Sequence, residues 1–307
     1  MVTTKFKMSR SLTAFLGSTV ALVASAALTS ASTPSSPNDN CHDQAYDCAV
    51  LYISETPKNN KGTDESSQNL DLAGYKLTFE DNFDKLDIAA DGTPGNWYAP
   101  KHAPIGAQFV PPGPNGPFFV QDKHLIIRAR KLGDTWHSGL LQTLDSKWHG
   151  FAQQYGYFEV RAKFSSNPAS FPAFWLVNRD LQTIPGSPLS EIDIFEGNGG
   201  QPGMAYLHAH MTPCYLCTVR GRHWVVAKTV AMADTVESYH TYGVMIDDTW
   251  ITYYIDRKEV MRIPTLDEYK TPFYILLDLG AHESRALSEQ SDTMDMNVDY
   301  VRVYQKM

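Results

Sequence analysis

Three carboxylates, Glu191, Asp193 and Glu196, fall within six residues of the run Ser190-Glu191-Ile192-Asp193-Ile194-Phe195-Glu196-Gly197. Ile192, Ile194 and Phe195 mark this run as one that lies against a core. Taking a carboxylate into such a place costs on the order of several kcal/mol unless it is paired or solvated. Mutual repulsion among three of them adds to that cost. Hydrolysis of a glycosidic bond gives the cluster a use, because it needs one ionised and one protonated carboxyl facing the same sugar. The alternative is a surface strand whose acids are simply solvated, with Glu196 pointing into water.

Side chains alternate along a strand, so Glu191 and Asp193 share a face and strict alternation sends Glu196 to the other. One extra residue, a β-bulge, returns Glu196 to the first face. The two Glu Cα atoms then lie roughly 13 Å apart at a rise of about 3.3 Å per residue. Inward-leaning side chains bring the carboxyls to roughly 5–6 Å, the separation of a retaining glycosidase, against roughly 6.5–9.5 Å for an inverting one.

The elements that must carry this cluster are strands. From Tyr75 onward, short runs rich in Val, Ile, Phe, Tyr and Thr are separated by Gly, Pro, Asn and Asp. Leu125 to Ala129, Gly156 to Phe164, Tyr242 to Ile246, Ile251 to Ile255 and Val298 to Tyr304 are such runs. Phe158 to Phe164 alternates with period two, as a half-buried antiparallel strand does. Asp247-Asp248 and Asp256-Arg257 fit hairpin turns. No long 3.6-period apolar segment and no internal repeat interrupts the pattern, which predicts an all-β sandwich. Residues 34–74 are rich in Ser, Thr, Asn, Asp and Pro, with only Ala49 to Ile53 apolar. They read as an exposed polar arm ahead of a catalytic domain over 75–307.

Glu-x-Asp-x-x-Glu followed by Gly resembles the catalytic signature of glycoside hydrolase family 16, the laminarinase and related β-glycanase family. Colinear stretches resemble the same family: LTFEDNFDKLD (77–87), KHLIIRARK (123–131), YGYFEVRAKF (155–164), PAFWLV (172–177), HTYGVMIDDTWITYYIDRKEV (240–260) and MNVDYVRVYQ (296–305). Two residues between Asp193 and Glu196 is the spacing of the bulged branch, which holds laminarinases, agarases and carrageenases. The resemblance implies a concanavalin A-like β-jelly-roll sandwich with a concave substrate cleft. It further implies Glu191 as nucleophile, Glu196 as acid and then base, and Asp193 between them as a hydrogen-bond partner of the nucleophile. In that scheme Glu196 holds a proton while Glu191 stays ionised, with repulsion and partial burial pushing the Glu196 pKa upward.

Sugar rings present flat C–H faces, so such a cleft needs aromatic platforms. Trp175 in the PAFW segment is the first candidate, with Trp97 and Trp136 next, against core packing for any of them. Trp224 and Trp250 read as core or edge residues. His208 falls where the family has a cleft-facing His. Many laminarinases carry a Trp shortly before the first catalytic Glu and another just after that His. Here those positions read Gly186-Ser187-Pro188 and Ala209, a departure that bears on laminarin as substrate but not on hydrolysis. The family's structural calcium maps to Asp299, whose other reading is a salt-bridged strand Asp. The chemistry itself requires no metal or organic cofactor.

Residues 1–33 read as a secretory signal. Lys5, Lys7 and Arg10 form a basic region, Leu12 to Leu28 is mostly apolar, and Ala24-Ser25-Ala26 and Ser30-Ala31 offer cleavage sites. A transmembrane anchor competes, but Gly17, Ser18, Thr19 and Ser25 interrupt the stretch. The expected place is extracellular or periplasmic. Losing those three cations and no acid moves the formal charge of −8 to about −11. Such a chain is a poor nucleic-acid binder, and a neutral polysaccharide imposes no charge requirement.

The four cysteines, Cys41, Cys48, Cys214 and Cys217, read as disulfides in an exported protein, with three possible connectivities. Local pairing, Cys41 with Cys48 and Cys214 with Cys217, is favoured. The alternative is zinc held by His208, His210, Cys214 and Cys217, against which an oxidising compartment argues.

Together with these observations, the resemblance implies a monomeric, endo-acting, retaining β-glycoside hydrolase on β-1,3- or mixed β-1,3/1,4-glucan, free of the membrane once the signal is cleaved. A galactan hydrolase of agar or carrageenan type and a transglycosylase use the same residues. A non-catalytic, polysaccharide-binding jelly roll is the reading from another class, and retention of all three acids argues against it.

Overall fold

The period-two runs do become strands. A computed structural model of the chain describes residues 69–100, 105–213, 223–282 and 291–307, together with the backbone of 48–52. In chain order the strands are β1 (Cys48–Tyr52), β2 (Tyr75–Asp81), β3 (Ala107–Phe109), β4 (Phe118–Gln121), β5 (His124–Leu132) and β6 (Thr135–Ser138). There follow β7 (Leu140–Gln142), β8 (Gly156–Phe164), β9 (Ser170–Asn178), β10 (Leu189–Glu196), β11 (Met204–Thr212) and β12 (His223–Ala231). The last are β13 (His240–Ile246), β14 (Trp250–Ile255), β15 (Lys258–Pro264), β16 (Phe273–Ala281) and β17 (Thr293–Lys306). One seven-stranded sheet runs β1-β12-β11-β10-β9-β16-β7. A ten-stranded sheet runs β15-β14-β13-β8-β17-β5-β6-β3, with β2 added on β17 and β4 on β5.

Alternation decides what lies between the sheets. Phe158, Val160, Ala162 and Phe164 of β8 share one buried core with Ile192, Ile194 and Phe195 of β10. Phe195 stacks on Phe164 at 4.3 Å between ring centroids and leans on Tyr242 at 4.2 Å. Burying each such ring contributes about 1.5–3 kcal/mol. The turns follow local chemistry. Asp256 and Arg257 both take positive φ, 50° and 60°, as a tight primed hairpin between β14 and β15 requires. Asp247 accepts from the backbone N–H groups of Thr249 and Trp250 between β13 and β14.

Three expectations need correction here. Trp97, 1% exposed, and Trp136, 3% exposed, belong to the inter-sheet core and offer no ring face to a sugar. Trp97 instead donates from Nε1 to Asp81 and packs on Phe79 and Phe83. Within the polar arm, Cys48–Tyr52 pairs in parallel with His223–Ala227 of β12, so this part of the arm extends the seven-stranded sheet. The signal segment 1–33 and Cys41, Cys214 and Cys217 lie outside the described residues, as does the side chain of Cys48. Among the described residues no helix is long and apolar enough to cross a membrane.

Phe195 is the anchor that commits β10 to the core, so Phe195→Ala should lower unfolding stability by about 3–5 kcal/mol. Urea denaturation reads this directly. A loss below about 1 kcal/mol would mean that the ring does not sit in a packed core.

Candidate active site

The ladder around β10 shows how its carboxylates come together. Glu191 lies opposite His210 of β11 and Val177 of β9, and Asp193 lies opposite His208 and Trp175. Glu196 lies opposite Tyr206 and Ala173. From Asp193 to Glu196 the strand advances three residues while β11 advances two, so the register shifts at a bulge. Cross-strand partners share a face, and the three acids therefore point together to the side away from the core. The same bulge lets the adjacent Ile194 and Phe195 both turn inward. The start of β10 is fixed from Asn178, whose Oδ1 accepts from Ser190 N and whose Nδ2 donates to the Pro188 carbonyl.

On the β11 side the acids meet imidazoles. His208 Nδ1 lies 2.5 Å from Glu196 Oε2 and 4.0 Å from Asp193 Oδ2. His210 Nε2 lies 3.1 Å from Asp193 Oδ2. Behind it, His210 Nδ1 is 3.1 Å from His223 Nε2, and His223 Nδ1 is 2.5 Å from Thr212 Oγ1. Two tyrosines pin the β11 backbone, Tyr253 donating to the His208 carbonyl and Tyr269 to that of His210.

On the β9 side the face is apolar. Trp175, Val177, Tyr274 and Leu276 pack together with Leu140 and Leu144. Trp175 is beside Asp193 as its sequence position suggested, but it is only 8% exposed, and its Nε1 donates to Asp278 Oδ1 at 2.8 Å. Trp148, half-buried, packs against the same cluster and meets Tyr274 at 6.4 Å between centroids. It is presented by a turn over 145–150 in which Asp145 accepts from the N–H groups of Lys147 and His149. Trp148 has φ 66°, a left-handed value that a bulky side chain seldom takes. Gly150 has φ 136°, and a side chain there would run into the Thr143 carbonyl.

Burial and crowding set the protonation states. Burial, and then the neighbouring Asp193, push the Glu191 carboxyl up to about 8. Burial and Glu196 hold Asp193 well above the usual carboxylate range. Burial would raise Glu196 as well, but the charge and hydrogen bond of His208 outweigh it and bring Glu196 below its ordinary value. Burial works against the His208 cation, yet Glu196, Asp193 and Glu191 together lift it to about 9. Burial also raises Asp278 to about 8. The expectation of a raised Glu196 is thus reversed in the resting chain, because a cation 2.5 Å away overrides the repulsion.

Asp299 does not fit the calcium expected of it. Its carboxylate is engaged by Arg161 Nη1, with His124 Nε2 3.7 Å away, and a guanidinium in that position opposes a cation. Sequence reasoning missed His223, Asp278 and Trp148. A lone acid in the apolar run Phe273–Ala281 was a legible signal for Asp278, whereas nothing in the sequence singles out Trp148 or His223.

The family description for glycosyl hydrolases family 16 matches residues 114–302, a span that contains the whole cluster. The chain is 28% identical over 287 residues to the endo-1,3-1,4-beta-glycanase EglC of Rhizobium meliloti, covering 84% of this chain and 58% of that protein. It is 28% identical over 264 residues to the endo-1,3-1,4-beta-glycanase ExsH of the same organism, covering 76% and 53%. The chain thus spans little more than half the length of these relatives. In structure it is similar to a laminarinase from Flavobacterium sp. UMI-01, with a TM-score of 0.58, 22% identity, and coverage of 75% of this chain and 100% of that one.

Removing the His208 charge should release Glu196. In a His208→Gln variant, carboxyl-carbon NMR should show the Glu196 pKa rising from its depressed value to above the ordinary carboxylate range. An unmoved Glu196 would mean that the imidazole is not what holds it down.

Proposed function

The chain belongs to glycosyl hydrolases family 16, and on that footing we propose that it is an endo-acting, retaining β-glycanase on β-1,3- or mixed β-1,3/1,4-glucan. The observation that carries this is the bulge that sets Glu191, Asp193 and Glu196 on one face of one strand. The names of the two relatives support the linkage, and Trp148, the half-buried ring that meets Tyr274, supports an aromatic face for a sugar.

Glu191 attacks the anomeric carbon while Glu196 protonates the departing oxygen, giving a glycosyl ester on Glu191. Glu196 then takes a proton from water, which attacks the same carbon and frees Glu191. The resting site holds the opposite proton distribution. Two changes bring it to the reactive one: His208 passes its proton across 2.5 Å to Glu196, and Glu191 loses its own. Positive charge developing on the sugar favours the second change, because it rewards an anion at Glu191. Asp193 lies between the two, its carboxyl held well above the usual range by burial and Glu196. Neither step calls for a metal or organic cofactor. The basic and apolar leader supports action outside the cytoplasm, and the enzyme works as a monomer.

The resting protonation also favours a second reading, with the roles of Glu191 and Glu196 exchanged. Azide separates the two. Glu196→Ala with azide should yield the β-glycosyl azide, since the ester on Glu191 still forms, and Glu191→Ala should not. The reverse pattern would exchange the roles. Either Gln variant should lose about 10²–10⁴ in turnover, and near-normal activity in either would remove that residue from the mechanism. Reducing-end assays on laminarin, barley glucan, agarose and carrageenan should show cleavage of the first two. Cleavage of only the last two would move the chain to the galactanases.

In metal-free buffer the rate should peak at mildly alkaline pH, between the two limbs set at about 8 by Glu191 and about 9 by His208. Its acid limb reports loss of the proton raised at Glu191 and its alkaline limb loss of the proton held by the His208–Glu196 pair. His208 is protonated below its raised value, so the pair keeps that proton until the pH rises through about 9. His208→Gln should move the alkaline limb toward acid. An unchanged limb would exclude the pair as its source.

A further inference from the structure

Two imidazoles at alternate positions of β11 and a carboxylate on the adjacent strand converge on one point. The donor atoms of Asp193, His208 and His210 all lie within 4.8 Å of one another. His210 Nε2 is 3.1 Å and His208 Nδ1 is 4.0 Å from Asp193 Oδ2. A tetrahedral ion with bonds of about 2.0–2.2 Å keeps its donors roughly 3.3–3.5 Å apart. The three atoms are therefore within about an ångström of the positions such an ion needs. Nitrogen donors with one carboxylate suit Zn²⁺, Co²⁺, Ni²⁺ and Cu²⁺, and not Ca²⁺ or Mg²⁺.

A second observation points the same way. The glycosidase chemistry has no step for His223 or Thr212. Yet His223 Nε2 stands 3.1 Å from His210 Nδ1, and Thr212 Oγ1 stands 2.5 Å from the other nitrogen of His223. Metal-binding histidines are held at the ring nitrogen turned away from the ion, as a rule by a carboxylate, carbonyl or water, which fixes tautomer and ring orientation. Here the His223 imidazole, itself met by Thr212, takes that place. Glu196 Oε2, beside His208 Nδ1, is in reach as a fourth donor.

We propose that Asp193, His208 and His210 form a site for one divalent transition-metal ion, with His223 and Thr212 orienting His210, and that a bound ion shuts off glycan cleavage. The ion takes Asp193 from between the two Glu residues and takes the nitrogen of His208 from Glu196. Metal and catalysis therefore compete for the same atoms. The second half of the proposal rests on the glycosidase reading above; the binding half does not.

The test titrates the metal-free full chain with Zn²⁺ by calorimetry and with Co²⁺ by visible absorption, without substrate. One equivalent should bind, with the intense visible bands of low-coordinate Co²⁺, and Ca²⁺ should not compete. His210→Asn should abolish saturable binding. His223→Ala, which leaves all three donors in place, should weaken affinity by about 10–100-fold. Thermal melts check that both variants fold. Cys214→Ser with Cys217→Ser should bind as the parent does. On a cleaved glucan, activity should fall in step with occupancy and return on chelation. Absence of saturable binding, binding indifferent to His210, or binding lost with the two cysteines would each overturn the site. Full activity with the ion bound would overturn the exclusion alone. A chain that cleaves no glucan yet binds zinc through His210 would refute the glycosidase reading and leave the site standing.

Discussion

A strand that gives three carboxylates to one face and three apolar side chains to the other, in the order found in β10, needs one residue more than alternation allows. The bulge between Asp193 and Glu196 supplies it. Without it, Glu196 would face Phe164 and Tyr242 in the core, and Phe195 would stand among the imidazoles. Burial of Phe195 and Ile194 holds the bulge in place, so the inter-sheet packing and the geometry of the acids are one constraint and not two. A single-residue slip would exchange the faces of everything beyond it.

Crowding three acids has an electrostatic consequence that the fold answers unevenly. On the β11 side, His208 and His210 offset the charge, and burial of the group makes their pairing strong. On the β9 side no cation stands among the residues opposite the acids. That flank offers Trp175, Val177 and Tyr274, and its buried acid Asp278 is held by the indole of Trp175. The strand thus divides its face into an imidazole half and an apolar half whose side chains, Trp175, Val177 and Tyr274, are packed against Leu140 and Leu144. Protonated His208 beside Glu196 and raised Glu191 describe a resting state in which the protons are displaced from where the proposed chemistry uses them. Substrate must supply the difference through the charge it develops.

Much of this is legible in the sequence, and the rest is not, for physical reasons. Period-two alternation in Phe158 to Phe164 predicts the strand and the face turned to the core. The opposite face is part-exposed at Arg161 and Lys163 and closed over Glu159 by Arg257, Tyr157 and Tyr300. The extra residue before Glu196 gave the bulge, since acids and apolar residues cannot otherwise sort. The tryptophans were not legible. Trp97 and Trp175 have the same composition of ring and N–H, and which one reaches the carboxylate face depends on long-range pairing. The sign of the Glu196 shift was hidden too, because it turns on His208 arriving at 2.5 Å from another strand. The strand Cys48–Tyr52 was masked by its polar surroundings, as five apolar residues gain strand character only where an open edge such as β12 is offered. Asp299 resembled a metal ligand only until Arg161 reached it across the sheet.

The central claim is that the bulged strand delivers Glu191, and not Glu196, to the anomeric carbon of a bound β-glycan. A 2-deoxy-2-fluoro glucan glycoside with an activated leaving group slows the second step more than the first and lets the ester accumulate. Peptide mass spectrometry of the trapped protein should find one added glycosyl unit, located on Glu191. A label on Glu196, or an intact protein that turns over the substrate without ever carrying a label, would contradict the account.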